Sequence, residues 1–546
     1  MKIDVLEVSI FIFFFVLITV IGFVAARWRR ADLSTLHEWG LAGRRFGTVV
    51  TWFLLGGDLY TAYTFIAVPG AVFTSGAIGF FAVPYTVLVY PIIFILMPKF
   101  WTVCKQRGYI TASDFVKDRF GSSSLALAVA FTGILATMPY IALQMFGIQV
   151  SIAALGIPLD VAVGSFKIDI PLLIAFLILA AYTYTSGLRA PALIALVKDV
   201  MVLSLVVIAV IYIPTRLGGF SHIFAVATAH QPVVAHKIAV AKAAGTYPPN
   251  AFTVFLKTPG AMVAYTTLAL GSALALFLYP HSMLGVLSSN DRNVVKRNTA
   301  LLPIYSLMLG LLALLGFMAL ALPKPPAAGN GAVPALITQL FPNWLAGFAF
   351  AAISIGALVP AAVMSIAAAN LFTRNIYKEY FRPNSSEREE AQTAKITSFL
   401  LKFGALLFII FVPTQNIISF QLLGGVWIIQ TLPPVFLGLY THWFNRWALL
   451  IGWAAGMISG TLMAFSAIIS GIPGAPLLQT YTFTIGGVAI PVYIALAALI
   501  LNLVLSIVLT PIFQAIGLRS GKDVTTPADY EYAPVEPKEP IEEALR

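Results

Sequence analysis

Apolar residues in this chain come in long runs rather than in stripes. Stretches of eighteen or more residues with almost no charge alternate with short polar or Gly/Pro segments. A helix needs about twenty apolar residues to cross a hydrocarbon core of roughly 30 Å, so each run predicts a membrane span. Thirteen are marked, over 5–26, 46–74, 76–98, 122–155, 170–187, 191–213, 259–285, 299–321, 344–372, 396–413, 416–438, 447–470 and 487–515. The longest runs predict tilt, extra helical turns outside the bilayer or a broken helix. The sizeable segments left outside are the loop 214–258 and the tail 517–546, whose Pro- and Glu-rich end predicts disorder.

Composition gives the same class. Residues AVILMFWYC make up 59% of the 546 and charged residues 10%, against roughly 25% charged in an ordinary soluble chain. A mean hydropathy of +0.91 excludes a soluble enzyme or a disordered scaffold. One cysteine, Cys104, rules out a disulfide framework or a cysteine-held metal, and the six histidines form no HExxH pattern. With no phosphate-binding glycine loop, no nucleotide partner is expected.

The net charge of +11 would suggest nucleic acid if the basic residues were clustered. They follow topology instead. With the amino terminus outside, 24 of the 33 Lys and Arg fall in inner segments, among them Arg27, Arg29, Arg30, Arg44, Arg45, Arg107, Arg119, Arg292 and Arg374. Seven fall outside, and Lys198 and Lys402 lie within spans. The expected placement is an inner (plasma) membrane, multi-pass, with the carboxyl terminus cytoplasmic. The first span is no signal peptide, since its basic cluster follows the apolar run and no small-residue cleavage site precedes Arg27. Trp28, Trp39, Trp101, Trp344, Trp443 and Trp447 lie at span ends, as an interfacial aromatic belt requires.

An ionisable group inside a span costs about 2.5–3.5 kcal/mol unless paired or hydrated, so the few present are informative. Asp58 lies near the midplane in GGDLYTAYT, Gly56 to Thr64, where two glycines, an acid and hydroxyl residues disfavour a continuous helix. A break there exposes carbonyls to a cation and the next half-helix's amino end to an anion. The plainer reading is a glycine packing face with Asp58 satisfied by hydroxyls. Lys198 lies about eight residues into its span. Neighbouring Asp199 projects about 100° away, so the two are not assumed to pair. Lys402, near a span end, is expected to snorkel. Tyr140, Gln144, Thr266, Ser354, Gln421, Gly424, Gly425, Trp427 and Gln430 are each compatible with ordinary helix packing.

Four stretches resemble the sodium/solute symporter family, in particular its monocarboxylate permease branch carrying lactate, pyruvate and acetate. They are LAGRRFGTVVTWFLLGGDLYTAYTFIAVPGAVF (Leu41 to Phe73), YTYTSGLRAP (Tyr182 to Pro191), YPH (Tyr279 to His281) and AAVMSIAAANLFTRNIYKEYF (Ala361 to Phe381). The resemblance implies an all-α membrane fold with a leucine-transporter-like inverted repeat of five plus five helices. In residues, that is a leading helix and basic loop (1–45), a first repeat (46–213), an external loop (214–258), a second repeat (259–438), two trailing helices (439–516) and a tail (517–546). It implies an alternating-access symporter importing short monocarboxylates, propionate among them, in which a single copy suffices.

By motif match, the family's sodium ligands become the carbonyls of Gly57, Tyr60 and Ala362 and the hydroxyl of Ser365. Two positions depart. Ile366 stands where a second hydroxyl residue is common, and Ala195 stands where the fifth core helix commonly has an aspartate, with Lys198 one turn further on. A lysine beside that position repels Na⁺ when charged and is itself able to carry a proton. The departures therefore favour H⁺ over Na⁺ as the coupling ion, with Lys198 or Asp58 as its carrier. No further cofactor is implied. For the carboxylate, N–H groups after the break with the Thr61 and Thr64 hydroxyls form the expected receptor. Tyr60, Tyr63, Tyr140, Gln144, Thr266, Gln421 and Trp427 are its expected walls.

A sodium-coupled amino acid or sugar symporter is the alternative, because fold does not fix substrate. A polytopic membrane enzyme is the remote one, since no metal cluster or nucleophile–base pair is visible.

Overall fold

In hydrocarbon a backbone has no water to bond, so each apolar run closes its hydrogen bonds internally as a helix. The computed structural model describes residues 3–28, 32–157, 160–163, 166–411, 414–518 and 520–532. Arg29 and Arg30 of the first basic cluster, and the tail beyond residue 532, lie outside the described residues. The leading helix is Val5–Val24 (α1). The first repeat opens with Thr48–Leu59 (α2) and Val68–Ser75 (α3), separated by residues 60–62 and a π-helical turn, Tyr63–Ala67, and bent by 43°. It continues with Ala82–Gln106 (α4), Ala112–Phe120 (α5), Ser123–Ala154 (α6), Ile170–Ser186 (α7) and Arg189–Arg216 (α8). A 25-residue helix, Gly219–Ala243 (α9), occupies the connection.

The second repeat opens in the same way. Pro259–Leu276 (α10) and Pro280–Leu287 (α11) are two short helices where the apolar pattern predicted one span over 259–285. Pro280 starts the second piece at the position a helix tolerates proline best, and it has no N–H with which to continue the first. Then come Arg292–Leu301 (α12), Pro303–Leu320 (α13), Asn343–Phe372 (α14), Glu387–Phe411 (α15) and Thr414–Ile428 (α16), followed by the trailing Arg446–Ile469 (α17) and Ile494–Ala515 (α18). Each of the thirteen expected runs coincides in large part with one or two helices among the described residues. Among the described residues, eleven helices are long and apolar enough to cross a membrane singly, the bent pair makes a twelfth, and α7 is a shorter apolar helix of 17 residues.

Two hairpins qualify the all-α expectation. Asp160–Val163 (β1) pairs with Phe166–Asp169 (β2), and Thr480–Ile485 (β3) with Val488–Tyr493 (β4). The last predicted span therefore begins at Ile494 rather than 487. Gly486 and Gly487, at φ +57° and +80°, form a turn that other residues rarely adopt, and the alternating TYTFTI pattern before them suits a strand.

At the centre stands α14, which is buried throughout its apolar stretch. Its run of Ala, Gly and Ser allows close approach, and α1, α6, α8, α11 and α15 all pack on it. The loops separate by end. At one end, the basic face, Phe46 exchanges backbone bonds with Ser288 and Asn290, and the Trp101 indole donates to Ser289 O at 3.1 Å. At the other end, Asp4 meets Asn343 and Gly76 meets Thr253.

Residues 520–532, expected to be disordered, lie along the basic face. Asp523 pairs with Arg119, Asp529 pairs with Arg107 at 2.9 Å, and the Tyr532 hydroxyl donates to Asp291 at 2.8 Å. The Pro/Glu composition that suggested disorder belongs mostly to the residues beyond, whereas here two acids and two tyrosines meet basic partners on α4, α5 and α12. Arg119 is the anchor, with its side chain 3% exposed and donating also to the carbonyls of Gly438 and Thr441 at 2.7 Å. Stripping one partner from a buried charge costs about 3–5 kcal/mol, whereas exposed pairs contribute about 0–1 kcal/mol. Arg119→Ala is expected to lower the thermal unfolding midpoint of the detergent-purified protein by several degrees. Arg382→Ala, whose side chain is 64% exposed beside Glu389, should leave it nearly unchanged.

Candidate functional site

The break between α2 and α3 leaves carbonyls without helical partners, and a buried amine fills them. Lys198 Nζ, from α8, donates to Gly57 O and, at 2.9 Å, to Tyr60 O. It also lies 3.3 Å from Asp199 Oδ1, and both side chains are fully buried. The two neighbours on α8 thus do pair, which their spacing alone did not establish. The long lysine stem bends across the 100° that separates their Cα–Cβ directions. Tyr305 of α13 completes the group, its hydroxyl donating to Asp199 Oδ2 at 2.7 Å and its carbonyl accepting from the Tyr60 hydroxyl at 2.8 Å.

The glycines before Asp58 make this approach possible. A Cβ at Gly56 would overlap the Tyr305 ring, and one at Gly57 would lie 3.0 Å from Asp199 Oδ1 and 3.1 Å from Lys198 Nζ.

Ala362 and Ser365, the other half of the cation set implied by resemblance, are occupied differently. The Ser365 hydroxyl donates to Ala362 O at 2.8 Å and accepts from Ser398 Oγ at 3.1 Å, and Ser398 in turn accepts from Lys402 Nζ at 2.9 Å. Lys402 is 1% exposed and does not snorkel. Its helix starts at Glu387, not near 396, which places it about 22 Å along the helix from that end. Each half of the set therefore has its own buried lysine, one directly and one through a serine.

Asp58 sits at the same break but turns toward the second broken helix. Its Oδ2 accepts from Ser282 Oγ at 3.1 Å and lies 3.6 Å from His281 Nε2. The Tyr140 ring packs edge-on to Tyr279, at 5.8 Å between centroids, and to His281, at 5.5 Å. Asp58 Oδ1, His281 Nδ1 and the Tyr279 hydroxyl are buried without a hydrogen-bond partner among the described residues, and so is Gln421 Oε1. Gly424 and Gly425 of α16 leave room for the hydroxyls of Tyr279 and Tyr493.

The N–H groups expected to receive a carboxylate are already engaged. Thr61 N donates to Thr64 Oγ1 at 3.0 Å, Tyr63 N to Thr61 Oγ1 at 3.0 Å, and Ala62 N to Gln144 Oε1 at 2.9 Å. Thr61, Thr64 and Gln144 thus cap the second half-helix. Tyr60, Tyr63 and Tyr140 are buried around the break. Two expected wall residues are elsewhere. Thr266 is on the exposed face of α10, and the Trp427 indole donates to Thr461 of α17 at 3.0 Å. Helices apolar on every side carry no stripe that would have told inner from outer face. The sequence reading gave no role to Tyr305, Ser282 or Ser398 and left His281 undecided. The YPH stretch was the one available signal, and it becomes informative only once Pro280 is seen to start a new helix.

A cavity of about 30 Å³ lies between α6, α11, α14 and α16, lined by Gly133, Pro280, Met283 and Asn370 and by none of Asp58, Tyr140, Tyr279 or His281. Among the described residues no group of three or more His, Cys, Asp or Glu is placed to hold a metal ion.

Comparison with known proteins gives a consistent picture. The family model described as sodium:solute symporter family matches residues 39–460. A monocarboxylate transport permease protein of Rhizobium johnstonii is 50% identical over 508 residues, which cover 93% of this chain and 97% of that one. A monocarboxylic acid transporter of Corynebacterium glutamicum is 22% identical, with 86% of each chain covered. Among solved structures, a substrate-bound, outward-open Na⁺-coupled sialic acid symporter superposes with a TM-score of 0.71 at 14% identity, covering 96% of this chain and 100% of that one. That likeness gives the leucine-transporter-like fold, with its inverted five-helix repeats.

Gly57→Ala is expected to push Lys198 and Asp199 apart and lower solute uptake in proteoliposomes at least tenfold, about 1.4 kcal/mol. Gly47→Ala, at a helix start with nothing within 4 Å of the added methyl, should transport normally.

Proposed function

We propose that this chain, which belongs to the sodium:solute symporter family, imports short monocarboxylates such as lactate, pyruvate, acetate or propionate together with a proton. It is a multi-pass membrane transporter. The observation that carries the proton reading is the Lys198 amine bonded to the carbonyls of Gly57 and Tyr60, where a bound cation would sit. Those carbonyl oxygens are hard ligands of the kind a small cation needs. A side-chain ammonium on the same oxygens competes with sodium by occupancy and by charge.

The substrate class is supported by the names of the relatives, one of them half identical over nearly the whole chain. The Tyr63, Tyr140 and Tyr279 side chains are buried near the breaks, and walls of this kind suit a small acid. Placement of the basic face toward the cytoplasm, in an inner or plasma membrane, follows from the excess of Lys and Arg there. A single copy contains both halves of the repeat and so suffices for transport.

Sodium coupling is the second reading, supported by the family's description and by the retained Ala362 carbonyl and Ser365 hydroxyl, which here bond to each other. The two readings differ in one experiment. Labelled lactate uptake into proteoliposomes is measured with the pH gradient and the sodium gradient imposed separately, with pyruvate, acetate, proline and glucose as competitors. Accumulation driven by the pH gradient in sodium-free buffer, and competition by the short acids alone, is expected. Accumulation that needs sodium would overturn the proton reading, and competition by proline or glucose would overturn the substrate class. Lys198→Ala is expected to abolish gradient-driven accumulation while retaining lactate exchange.

A further inference from the structure

Four buried ionisable groups meet around the two helix breaks, and their charges do not cancel. With Lys198 as an ammonium, Asp58 and Asp199 contribute two negative charges against one positive, and the imidazole of His281 lies beside Asp58. With a neutral imidazole the set is short by one positive charge. A monocarboxylate entering here adds a second uncompensated charge next to Asp58, and two carboxylates in one buried site do not both stay ionised. The substrate therefore brings a proton with it to this place.

The geometry points to His281 and Asp58 as a dyad that loads the monocarboxylate and its proton together, with the His281 Nδ1 edge and the Tyr279 hydroxyl turned to the carboxylate. This rests on the proton-coupled monocarboxylate reading above and deepens it. Lys198 becomes the fixed internal cation, and the travelling proton is held at the dyad.

Three observations carry it. Asp58 Oδ1, His281 Nδ1 and the Tyr279 hydroxyl are the buried, unpartnered polar atoms of one cluster, and unpaired polar atoms at such depth are costly unless a ligand completes them. The cluster joins the two broken helices, so anything bound to it touches the opening helices of both repeats. Finally, among the described residues no cation other than Lys198 acts on Asp58 beside His281. The elements packed on α11 present Asp58 from α2, Tyr140 from α6 and, beside Tyr279, Tyr85 from α4, while α14 has no ionisable residue over 343–372. Lys198 acts on Asp58 from the far side and is already committed to Asp199 and two carbonyls.

Proton balance is simple. One proton from the aqueous face to which the site is open is shared between Asp58, His281 and the substrate carboxylate. It leaves with the acid on the other face, and no bond other than that to the proton changes.

The test counts protons. L-lactate binding to the purified full chain is measured by titration calorimetry in buffers of different ionisation enthalpy and across a range of pH. The unaltered protein is expected to take up about one proton per lactate, with affinity falling roughly tenfold per pH unit once the dyad has lost its proton. Asp58→Asn should bind lactate with no proton uptake and a flat pH profile, and should exchange lactate without accumulating it. His281→Gln should weaken lactate binding at least tenfold. Proton uptake and pH slope unchanged in Asp58→Asn would overturn the dyad. Should that variant not fold, His281→Gln decides alone, with affinity and proton count both at the unaltered level overturning it. Failure of the wider reading looks different, since the unaltered protein would then show no pH-driven lactate accumulation at all.

Discussion

An amine held on two backbone carbonyls at a helix break organises this molecule. Lys198 reaches Gly57 O and Tyr60 O from α8, and Asp199 and Tyr305 brace it from behind. Without it, the break between α2 and α3 would leave those carbonyls unsatisfied in the driest part of the protein, a cost of several kcal/mol each in hydrocarbon. The local sequence follows from that need. Gly56 and Gly57 are glycines because Tyr305 and the ion pair occupy the space of a side chain. Thr61, Thr64 and Gln144 cap the resumed helix because the break also frees N–H groups.

Much of the architecture was legible in the sequence because the bilayer imposes it. Runs of apolar residues have to be helices, so the spans follow from hydropathy. The ionisable residues at depth, Asp58 and Lys198, were legible for the same reason, since a residue so costly to bury stands out. What could not be read was direction around each helix. Thr266 faces outward and the Trp427 indole bonds Thr461, neither of which was legible, because the scattered polar residues of α16 and α10 form no stripe that marks an inner face. Lys402 was set near a span end because the polar first turns of α15 do not look membrane-embedded, although they continue the same helix. The partnership of Asp58 with His281 joins residues 223 positions apart, through a break that only Pro280 hinted at.

The two lysines also show that the oxygen positions implied by the family pattern do not by themselves identify the ion. Carbonyls and hydroxyls at the matched positions are retained, but one half holds Lys198 directly and the other is joined to Lys402 through Ser398. Oxygen ligands alone say that something positive is held there. Whether it is an ion from solution or an amine of the chain depends on residues outside the ligand set.

Lys198 belongs to α8, while the carbonyls it grips belong to the first broken helix, so this contact spans two elements that alternating access requires to shift against each other. In a carrier that borrows its cation from solution, the return stroke is made with that seat vacant, and a stray ion can take it and slip across unaccompanied. Here the seat is filled by the chain itself. A tethered cation cannot be lost to either bath, so under the proposed proton coupling the geometry that seats the amine would also make the empty carrier resistant to uncoupled ion leak.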